Sequence, residues 1–520
     1  THCISSAASD VYKRQTSVGP SALLVEADAS HLGLKHVTWH RGMTTKEATP
    51  IRVAVVGSGL AGLATAYFLT RNTRVVDVTL YERHAALGMD AESVTVEHEG
   101  EHQRIDVPMR AFSAAYYPNL VALYKHLRIG FDPQSFSFSF AHKTDDAHGG
   151  PVPDFLYRGR RNKGPRCIRR GSMARPLFWV STVWSYLVMV ILAWLYTVCG
   201  YTPHRRTFGE WCDSIWMAQS FVDELLYPMF SSIMTADMAA VRAMPTREVL
   251  EYVAHTFLYR HYRVRGGVSQ VVHALTDHLP ADRVRVGATI TDVFPVDTHR
   301  IGLRYKASDG SQAEAVYDHL IFGSQATQTA IMLQWYHDHT QPSSRAIFCA
   351  QQLAQLRALH YKKSTVVCHT DTGILPPDEA DWRDLNFVTP ASREAHDAYT
   401  MATHVIHRSP AQVVMQTTNP LPQLFPAADK TIRQSTFDRF VLTPEGRQAR
   451  EHFFQRRGKR RTLGPLQGSP DGGGGGVWFT GSWSYGVPLL EGCVTSARLV
   501  AERILQQHDL DASHLSLIHI

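Results

Sequence analysis

The sequence predicts an α/β protein whose parallel sheet is assembled from distant parts of the chain. Three observations lead to this class: a glycine-rich turn after an apolar strand near residue 57, a similar strand and turn near residue 480, and a charge-free run of 23 residues at 178–200 between them. A chain of 520 residues is long enough for two domains. We therefore expect an α+β domain to be inserted within the α/β domain.

The first glycine-rich turn follows a short run rich in β-branched residues, Ile51–Val56, which is typical of a buried parallel strand. Gly57, Gly59 and Gly62 then form a G-x-G-x-x-G pattern. In this pattern the first glycine permits the tight turn, the second lets the backbone approach a pyrophosphate, and the third lets the helix pack on the strand. The following helix, 60–70, would point its N-terminal N–H groups at that phosphate.

A second strand, Val76–Tyr81, ends at Glu82, twenty residues after Gly62. A carboxylate at this distance binds the ribose hydroxyls of an adenine dinucleotide. Strand, glycines, helix, second strand and acid in this order predict a Rossmann-like domain that binds a dinucleotide. The motif alone does not separate NAD from FAD, and a glycine turn in an unrelated α/β protein is the alternative.

Further segments of the same domain are expected later in the chain. Residues 265–275 have a paired glycine before an amphipathic helix, 284–296 alternate like a strand, and 318–324 form a short buried strand before a Gly-Ser pair. Residues 477–505 contain another apolar strand, a second Gly-Ser pair and a helix with one apolar face.

With these segments the chain resembles the FAD-dependent amine oxidoreductase and phytoene desaturase superfamily, in its branch of predicted FAD/NAD-binding proteins. The stretches that carry the resemblance include VAVVGSGLAGLATAYFL, RIDVPMRAFSAAYYPNL, YRVRGGVSQVV and WFTGSWSYGVPLLEGCVTSA. The resemblance covers nearly everything from Ile51 to Leu505. It implies one FAD molecule, bound covalently or noncovalently, and a Rossmann-like FAD-binding domain that is discontinuous in sequence.

The resemblance also implies which residues contact the cofactor. They are Gly57, Gly59, Leu60, Ala61 and Gly62 at the pyrophosphate; Glu82 and Arg83 at the adenosine ribose; Gly88 and Met89 in the loop beneath the phosphates; Pro108, Met109 and Arg110 near the flavin ring; Val293 at the adenine; Gly481 and Ser482 near the ribityl phosphate; and Gly492 and Cys493 at the pyrimidine edge of the flavin. A helix N-terminus at that edge would stabilise the negative charge of the reduced flavin.

Three positions depart from the family pattern. Met89 replaces the second glycine of a Leu-Gly-Gly sequence, Pro108 replaces a glycine near the flavin ring, and Ser482 replaces the acid of a Gly-Asp pair. Each change alters a contact with the cofactor without deleting the site.

The charge-free run Phe178–Gly200 has the length and composition of a membrane helix, and eight basic residues precede it in 158–175. A single crossing would separate the dinucleotide-binding segments on its two sides. We therefore expect a monotopic contact with a membrane surface, in which basic residues meet anionic lipid. A buried helix of a lipid-free substrate domain is the alternative.

Composition narrows the class of protein. The formal net charge of +6 is modest for this length and does not imply nucleic acid as a partner. The cysteines contain no C-x-x-C pair and the 28 histidines show no ligand spacing, so we expect no metal site. We expect an intracellular protein, because no secretory signal is recognisable and scattered cysteines suit a reduced compartment. The oligomeric state is left open.

These observations divide the chain as follows. Residues 1–42 are expected to be a non-native or disordered leader, because Ser5–Gln15 resembles translated adaptor sequence. The FAD-binding domain would comprise 43–110, 265–329 and 436–508, and the substrate domain 111–264 and 330–435, with an apolar helix at 178–200. Residues 509–520 would be a tail that is partly adaptor-like.

The expected activity is that of a FAD-dependent desaturase or oxidase, in which an apolar, lipid-like substrate transfers hydride to the flavin. The cofactor supplies the difficult chemistry, so no catalytic side chain is required or named. Leu489 stands where amine oxidases have a cage aromatic, which speaks against a small amine as substrate. Two alternatives remain: a redox-neutral flavin isomerase, and a noncatalytic membrane-associated protein with a flavin fold.

Several other residues have both a functional and a structural interpretation. Trp483 and Tyr485 could line the cleft or pack at a strand end, and Lys362 and Lys363 could be bases or exposed charges. The sequence His369-Thr370-Asp371 could touch substrate or fix an interface between domains.

Overall fold

The computed structural model describes most of the chain from Thr49 onward. The described residues are 49–71, 73, 75–98, 100–134, 136–143, 150–157, 166–167, 176–199, 207–390, 398–409, 412–457, 460–471, 475–513 and 515. The expected leader at 1–42 lies outside them, as do most of the basic run at 158–175 and part of the tail at 509–520.

Strands occupy many short stretches of the described chain. In chain order they are β1 (Ile51–Val56), β2 (Val76–Tyr81), β3 (Val94–His98), β4 (Glu101–Ile105), β5 (Phe112–Ser113), β6 (Phe131–Gln134), β7 (Phe138–Lys143), β8 (Pro153–Tyr157), β9 (Arg166–Cys167), β10 (His261–Val264), β11 (Val284–Arg285), β12 (Thr289–Pro295), β13 (Ile301–Lys306), β14 (Gln312–Tyr317), β15 (His319–Phe322), β16 (Tyr361–His369), β17 (Leu385–Pro390), β18 (Met401–Arg408), β19 (Val413–Thr418), β20 (Thr431–Phe440), β21 (Phe454–Arg457), β22 (Arg460–Leu463) and β23 (Gly476–Phe479).

Helices alternate with these strands and cluster in the middle of the chain. They are α1 (Leu60–Thr70), α2 (Pro118–His126), α3 (Pro176–Cys199), α4 (Phe208–Asp213), α5 (Gln219–Phe221), α6 (Tyr227–Met234), α7 (Met238–Ala243), α8 (Thr246–Thr256), α9 (Ser269–Thr276), α10 (Ala326–Asp338), α11 (Ser344–Arg357), α12 (Pro444–Glu451) and α13 (Leu490–Gln507). A π-helical turn, Val222–Leu226, joins α5 to α6.

A five-stranded parallel sheet has the order β11-β2-β1-β15-β23. Its strands come from all three segments that the sequence predicted to belong together, and β1 lies directly between β2 and β15. Helices α1 and α13 pack against each other on this sheet. The mixed α/β class is therefore confirmed. The division into two domains stays a prediction.

The predicted strand 284–296 is two strands in the structure. Gly287 has a φ of +67°, a left-handed conformation that favours glycine, and it lies between β11 and β12. Because the chain turns there, β11 joins the parallel sheet, whereas β12 pairs with β13 in the separate antiparallel sheet β12-β13-β14.

An eight-stranded sheet is built mainly from strands between the cofactor segments, in the order β20-β16-β19-β18-β17-β7-β8-β9, and β5, β10 and β6 form a separate three-stranded sheet. Helix α3 begins at Pro176, two residues before the predicted run, and packs along α8. It is the one helix of the described residues that is long and apolar enough to cross a membrane, a criterion that buried core helices also pass.

Candidate functional site

The turn between β1 and α1 has the open geometry that a phosphate needs. A Cβ atom on Gly62 would lie 1.8 Å from the Gly57 carbonyl oxygen, so only glycine fits there. A Cβ on Gly59 would meet nothing within 4 Å. Gly59 also begins α1 without a side-chain cap, so no side chain at the N-cap position covers the start of the helix on this open side.

Glu82 ends β2 beside this turn and is already surrounded by donors from the protein. One carboxylate oxygen accepts hydrogen bonds from the Ser58 N–H at 3.1 Å and the Ser58 hydroxyl at 2.6 Å. The other lies 2.9 Å from both the His84 N–H and the His84 ring Nδ1. These bonds lower the pKa of Glu82 against the opposing effect of burial. A ribose hydroxyl would therefore replace one of these partners, and the exposed His84 ring is the easier to displace.

The loop after Glu82 packs directly under the glycine turn. The Gly88 N–H donates to the Ser58 hydroxyl at 2.7 Å, and a Cβ on Gly88 would lie 2.6 Å from the Ser58 carbonyl oxygen. Met89 has a φ of +68°, a conformation that favours glycine. Met89 thus adopts the backbone conformation that the second glycine of Leu-Gly-Gly would have. Arg83 is exposed on the same loop.

The segment Pro108-Met109-Arg110 follows a cis peptide bond between Val107 and Pro108. Gln416, on β19 of the large sheet, holds this segment from both sides. Its amide oxygen accepts from the Met109 N–H at 2.9 Å, and its amide nitrogen donates to the Asp106 carbonyl oxygen at 2.5 Å. Gln416 could not be recognised from the sequence, because its role depends on a contact with residues some 300 positions earlier.

The last cofactor segment brings Gly481 and Gly492 together. The Ser496 hydroxyl accepts from the Gly481 N–H at 3.1 Å and donates to the Gly492 carbonyl oxygen at 2.7 Å. A Cβ on Gly492 would lie 2.5 Å from the Ser482 carbonyl oxygen. Helix α13 begins at Leu490, two residues before the predicted start, so Gly492 and Cys493 lie in its first turn.

Helices α1 and α13 present their N-termini to each other. Burial raises the pKa of the Cys493 thiol to about 12, and the Ala61 N–H group lies close enough to oppose that shift. Ser58 bonds with Glu82, and Ala61, three residues further along the chain, bonds with Cys493. The two ends of the predicted cofactor site meet in one place.

Glu491 links α13 to α2 and was not expected from the sequence. Its carboxylate accepts from the Asn119 N–H at 3.1 Å, the Asn119 side-chain amide at 2.6 Å and the Leu120 N–H at 3.1 Å. These donors belong to the first turn of α2, so Glu491 caps that helix. Burial raises the pKa of Glu491 to about 7.

Val293 lies on β12 rather than on the strand next to Glu82. Its side chain is fully buried, opposite Leu303 on β13. The residue beside Glu82 is Arg285, whose carbonyl oxygen accepts from the Glu82 N–H at 2.9 Å. The Val293 side chain packs in one core cluster with Val56 of β1 and Tyr81 of β2, and its place at the adenine stays a prediction.

The weaker candidates are mostly held by structural contacts. Lys362 pairs with Asp237, which caps α7. His369 contacts Thr417 at 2.8 Å inside the large sheet, and burial lowers the pKa of His369 to about 4. Asp371 pairs with Lys430 at 3.2 Å.

The aromatic residues near the last cofactor segment differ in exposure. Trp483 is buried and packs edge-on against Phe453 and Phe454. These contacts favour a packing role for Trp483 at the end of its strand over a place in the cleft. Tyr485 is half-buried, with the Arg461 guanidinium 4.4 Å from its ring centroid. Leu489 is partly exposed.

Two sequence profiles match the chain in the regions just described. The profile of the NAD(P)-binding Rossmann-like domain matches residues 55–127, and that of the flavin-containing amine oxidoreductases matches residues 216–505, more than half of the chain. No curated protein matches the sequence.

Solved structures of similar fold cover nearly the whole chain. Cyclohexylamine oxidase from Brevibacterium oxydans IH-35A is 12% identical with a TM-score of 0.54, over 88% of this chain and 100% of that one. Putrescine oxidase is 13% identical with a TM-score of 0.53, over 88% and 99%. An oxidoreductase from Methanosarcina mazei is 12% identical with a TM-score of 0.54, over 87% and 100%. At these identities the likeness establishes the fold alone.

Fold and site together define a FAD-dependent oxidoreductase. The open approach over Gly59, the uncapped start of α1 and the unpartnered Arg110 Nη1 suit the phosphates and ring of such a cofactor. The chain belongs to the flavin-containing amine oxidoreductase family. The roles of its individual site residues remain predictions.

Proposed function

We propose that this protein oxidises or desaturates an apolar, lipid-like substrate while it rests on the surface of a membrane. The observation that supports this proposal is the surface of α3. Large apolar side chains along that helix are between 41% and 78% exposed: Leu177, Val180, Val183, Trp184, Leu187, Ile191, Trp194, Leu195 and Val198. Soluble proteins seldom expose an apolar patch of this extent without a partner.

The opposite side of α3 is packed against the protein. Its buried residues, Phe178, Thr182, Ser185, Met189 and Ala193, follow helical spacing, and Tyr186 stacks on Phe257 just after α8. Strands β1, before α3, and β15, after it, lie in the same sheet, so both ends of α3 must return to the same side of a membrane. A helix packed along one side therefore suits a position parallel to the membrane surface.

Exposed apolar residues of other elements extend this surface. The Trp184 indole N–H donates to the Trp216 carbonyl oxygen at 3.3 Å, and the Trp216 side chain is 89% exposed. Leu258 follows Phe257, the partner of α3, and is 72% exposed. Trp residues suit the boundary between acyl chains and headgroups. A lipid substrate could therefore enter from the bilayer without passing through water.

FAD, when bound, supplies the hydride acceptor for the reaction. The protein's own contribution would be to hold the cofactor and to shield it from water. The glycine turn would bind the phosphates, the N-terminus of α13 would stabilise negative charge, and Gln416 would fix the Asp106–Met109 segment against the large sheet. No general acid or base is assigned.

Membrane contact is tested by flotation of the purified full chain with vesicles of phosphatidylcholine and phosphatidylglycerol. We expect the wild type to float with the vesicles and the double variant Trp184→Ser with Trp194→Ser to remain at the bottom of the gradient. The matched control is Trp382→Ser, at the end of a short 3-10 turn before β17 rather than on α3. Equal flotation of wild type and double variant would contradict the proposal.

The reaction class is tested on the same vesicles. Anaerobic bleaching of the flavin absorbance by a lipid extract, with one oxidised product recovered, is the expected result. Product formation without net oxidation would indicate the isomerase alternative. A bound flavin that no extract bleaches or turns over would favour the noncatalytic alternative.

A further inference from the structure

Two arginine side chains near the cofactor segments make no hydrogen bond and no ion pair with any part of the chain that the structure describes. Arg110 follows the segment that Gln416 holds, and its Nη1 atom is buried without a partner. Arg439 lies on β20, and its Nε atom is likewise buried without a partner. Guanidinium groups remain charged at all physiological pH values, so each is a half-buried cation with unsatisfied donors.

Both guanidinium groups have a buried donor without a partner, and their charges act on each other. Burial lowers the pKa of Arg439 to about 10, and the positive charge of Arg110 lowers it further in the same direction. Burial also lowers the pKa of Arg110, and the nearby carboxylate of Asp106 opposes this lowering only in part. Two neighbouring like charges with unused donors are unfavourable unless an anion lies between them.

Other cations on the same face of the large sheet have carboxylate partners. Arg433 shares the face of β20 with Arg439 and binds Glu92 at 2.8 Å. Lys362, directly opposite Arg439 on β16, binds Asp237. The Arg439 guanidinium instead lies over the Phe437 ring, whose centroid is 4.8 Å away. Within the described residues, Arg439 therefore lacks the carboxylate that both neighbours have.

We propose that Arg110 and Arg439 bind one oxyanion, a carboxylate or a phosphate group, between them. Guanidinium groups bind both through paired N–H donors, and the resulting charge-assisted bonds are stronger than neutral ones. The anion is either a phosphate of the bound cofactor or an acidic end of the substrate. A substrate as the source of the anion rests on the proposed function, because the lipid-like substrate would then be an amphiphile. A cofactor phosphate as the source does not rest on it.

The site is tested on the full chain freed of FAD, with sodium pyrophosphate and sodium octanoate as probes. Each probe's effect on the melting temperature is measured for wild type, Arg439→Gln and the control Arg433→Gln. Without a probe, we expect Arg439→Gln to melt higher than wild type, since an uncompensated charge is removed. Arg433→Gln should melt no higher, because it breaks an ion pair.

Probe binding to Arg439→Gln should be weaker by roughly tenfold or more, the loss expected for one charge-assisted bond, while Arg433→Gln binds like wild type. Arg439→Lys, which keeps the charge and loses the paired donors, should fall between them. A lower melting temperature for Arg439→Gln together with unchanged binding of both probes would overturn the proposal.

Two titrations distinguish the sources of the anion. Roughly tenfold weaker FAD binding by Arg439→Gln, measured from flavin fluorescence, assigns the anion to the cofactor. Unchanged FAD binding, with loss of the octanoate-induced change in flavin absorbance, assigns it to the substrate. If the wild type fails to bind FAD, the proposed function fails, and the melting experiment still decides the anion site.

Discussion

Helices α1 and α3 are both strongly apolar, yet they have opposite surroundings. Ten of the eleven residues of α1 are buried, between the parallel sheet and helices α9 and α13. Five of the 24 residues of α3 are buried, and α8 is the main helix packed along it. The difference shows that apolar composition alone does not predict whether a helix is buried within the protein. A helix packed on all sides is covered by protein, whereas a helix packed on one side leaves an apolar face for another partner.

The largest effect should come from the start of α1. Gly62→Ala places a Cβ atom 1.8 Å from the Gly57 carbonyl oxygen, so α1 must move away from β1. We expect the free energy of unfolding to fall by about 4 kcal/mol or more, measured by urea denaturation.

The matched control is Gly59→Ala, where the added Cβ atom meets nothing within 4 Å. This variant should fold normally and bind FAD more weakly, because the methyl group occupies the phosphate approach. Normal stability of Gly62→Ala would contradict the packing described for α1.

A smaller effect should separate the two sides of α3. Met189 is fully buried and Ile191 is 54% exposed. Met189→Ala should lower the free energy of unfolding by about 3 kcal/mol through the cavity it leaves, whereas Ile191→Ala should change it by less than about 0.5 kcal/mol in the absence of lipid. In the flotation experiment with vesicles, the opposite variant should show the effect: Ile191→Ala should weaken flotation, and Met189→Ala should not. Equal destabilisation by both variants would mean that α3 is covered on both sides.

The smallest effect concerns α13, the helix that covers α1. The folded-state pKa of Glu491, about 7, is above its ordinary value, so the folded protein binds more protons than the unfolded chain between about pH 4.5 and 7. This group's contribution to stability is fully present below that range and is lost as the pH rises through 7. The loss is at most about 3 kcal/mol.

The measurement compares urea unfolding of wild type and Glu491→Gln at several pH values. Relative to the variant, the wild type should lose stability from pH 5 to pH 8. A constant difference between the two proteins over that range would show that Glu491 does not titrate there.

The local part of the cofactor site could be predicted because its determinants are close in sequence. The turn at Gly57, the start of α1 and the position of Glu82 follow from strand, glycine and spacing within about thirty residues. Reasoning from the alternation of residues also predicted that 284–296 form one strand, whereas the place of Val293 at the adenine came from the family resemblance and stays a prediction. The strand prediction was wrong because alternation does not reveal the turn at Gly287, which sends the two halves to different sheets.

Contacts between distant residues could not be predicted from a single sequence. The parallel pairing of β7 with β17 and the clamp of Gln416 on Asp106 and Met109 join residues hundreds of positions apart. The partners of Glu82 were equally hidden, since Ser58 and His84 have no feature that marks them as its donors. That Arg439 has no carboxylate partner among the described residues is recognisable only beside Arg433 and Lys362, which have one.

The central strand of the parallel sheet is synthesised long before its neighbour. Arg52 donates to Asp318 across 266 positions of sequence, an interval of roughly 10 to 50 seconds at ribosomal rates of roughly 5–20 residues per second. Helix α3 leaves the ribosome within that interval, while β1 still lacks β15. The nascent chain therefore contains its most apolar segment before β15 can join the sheet.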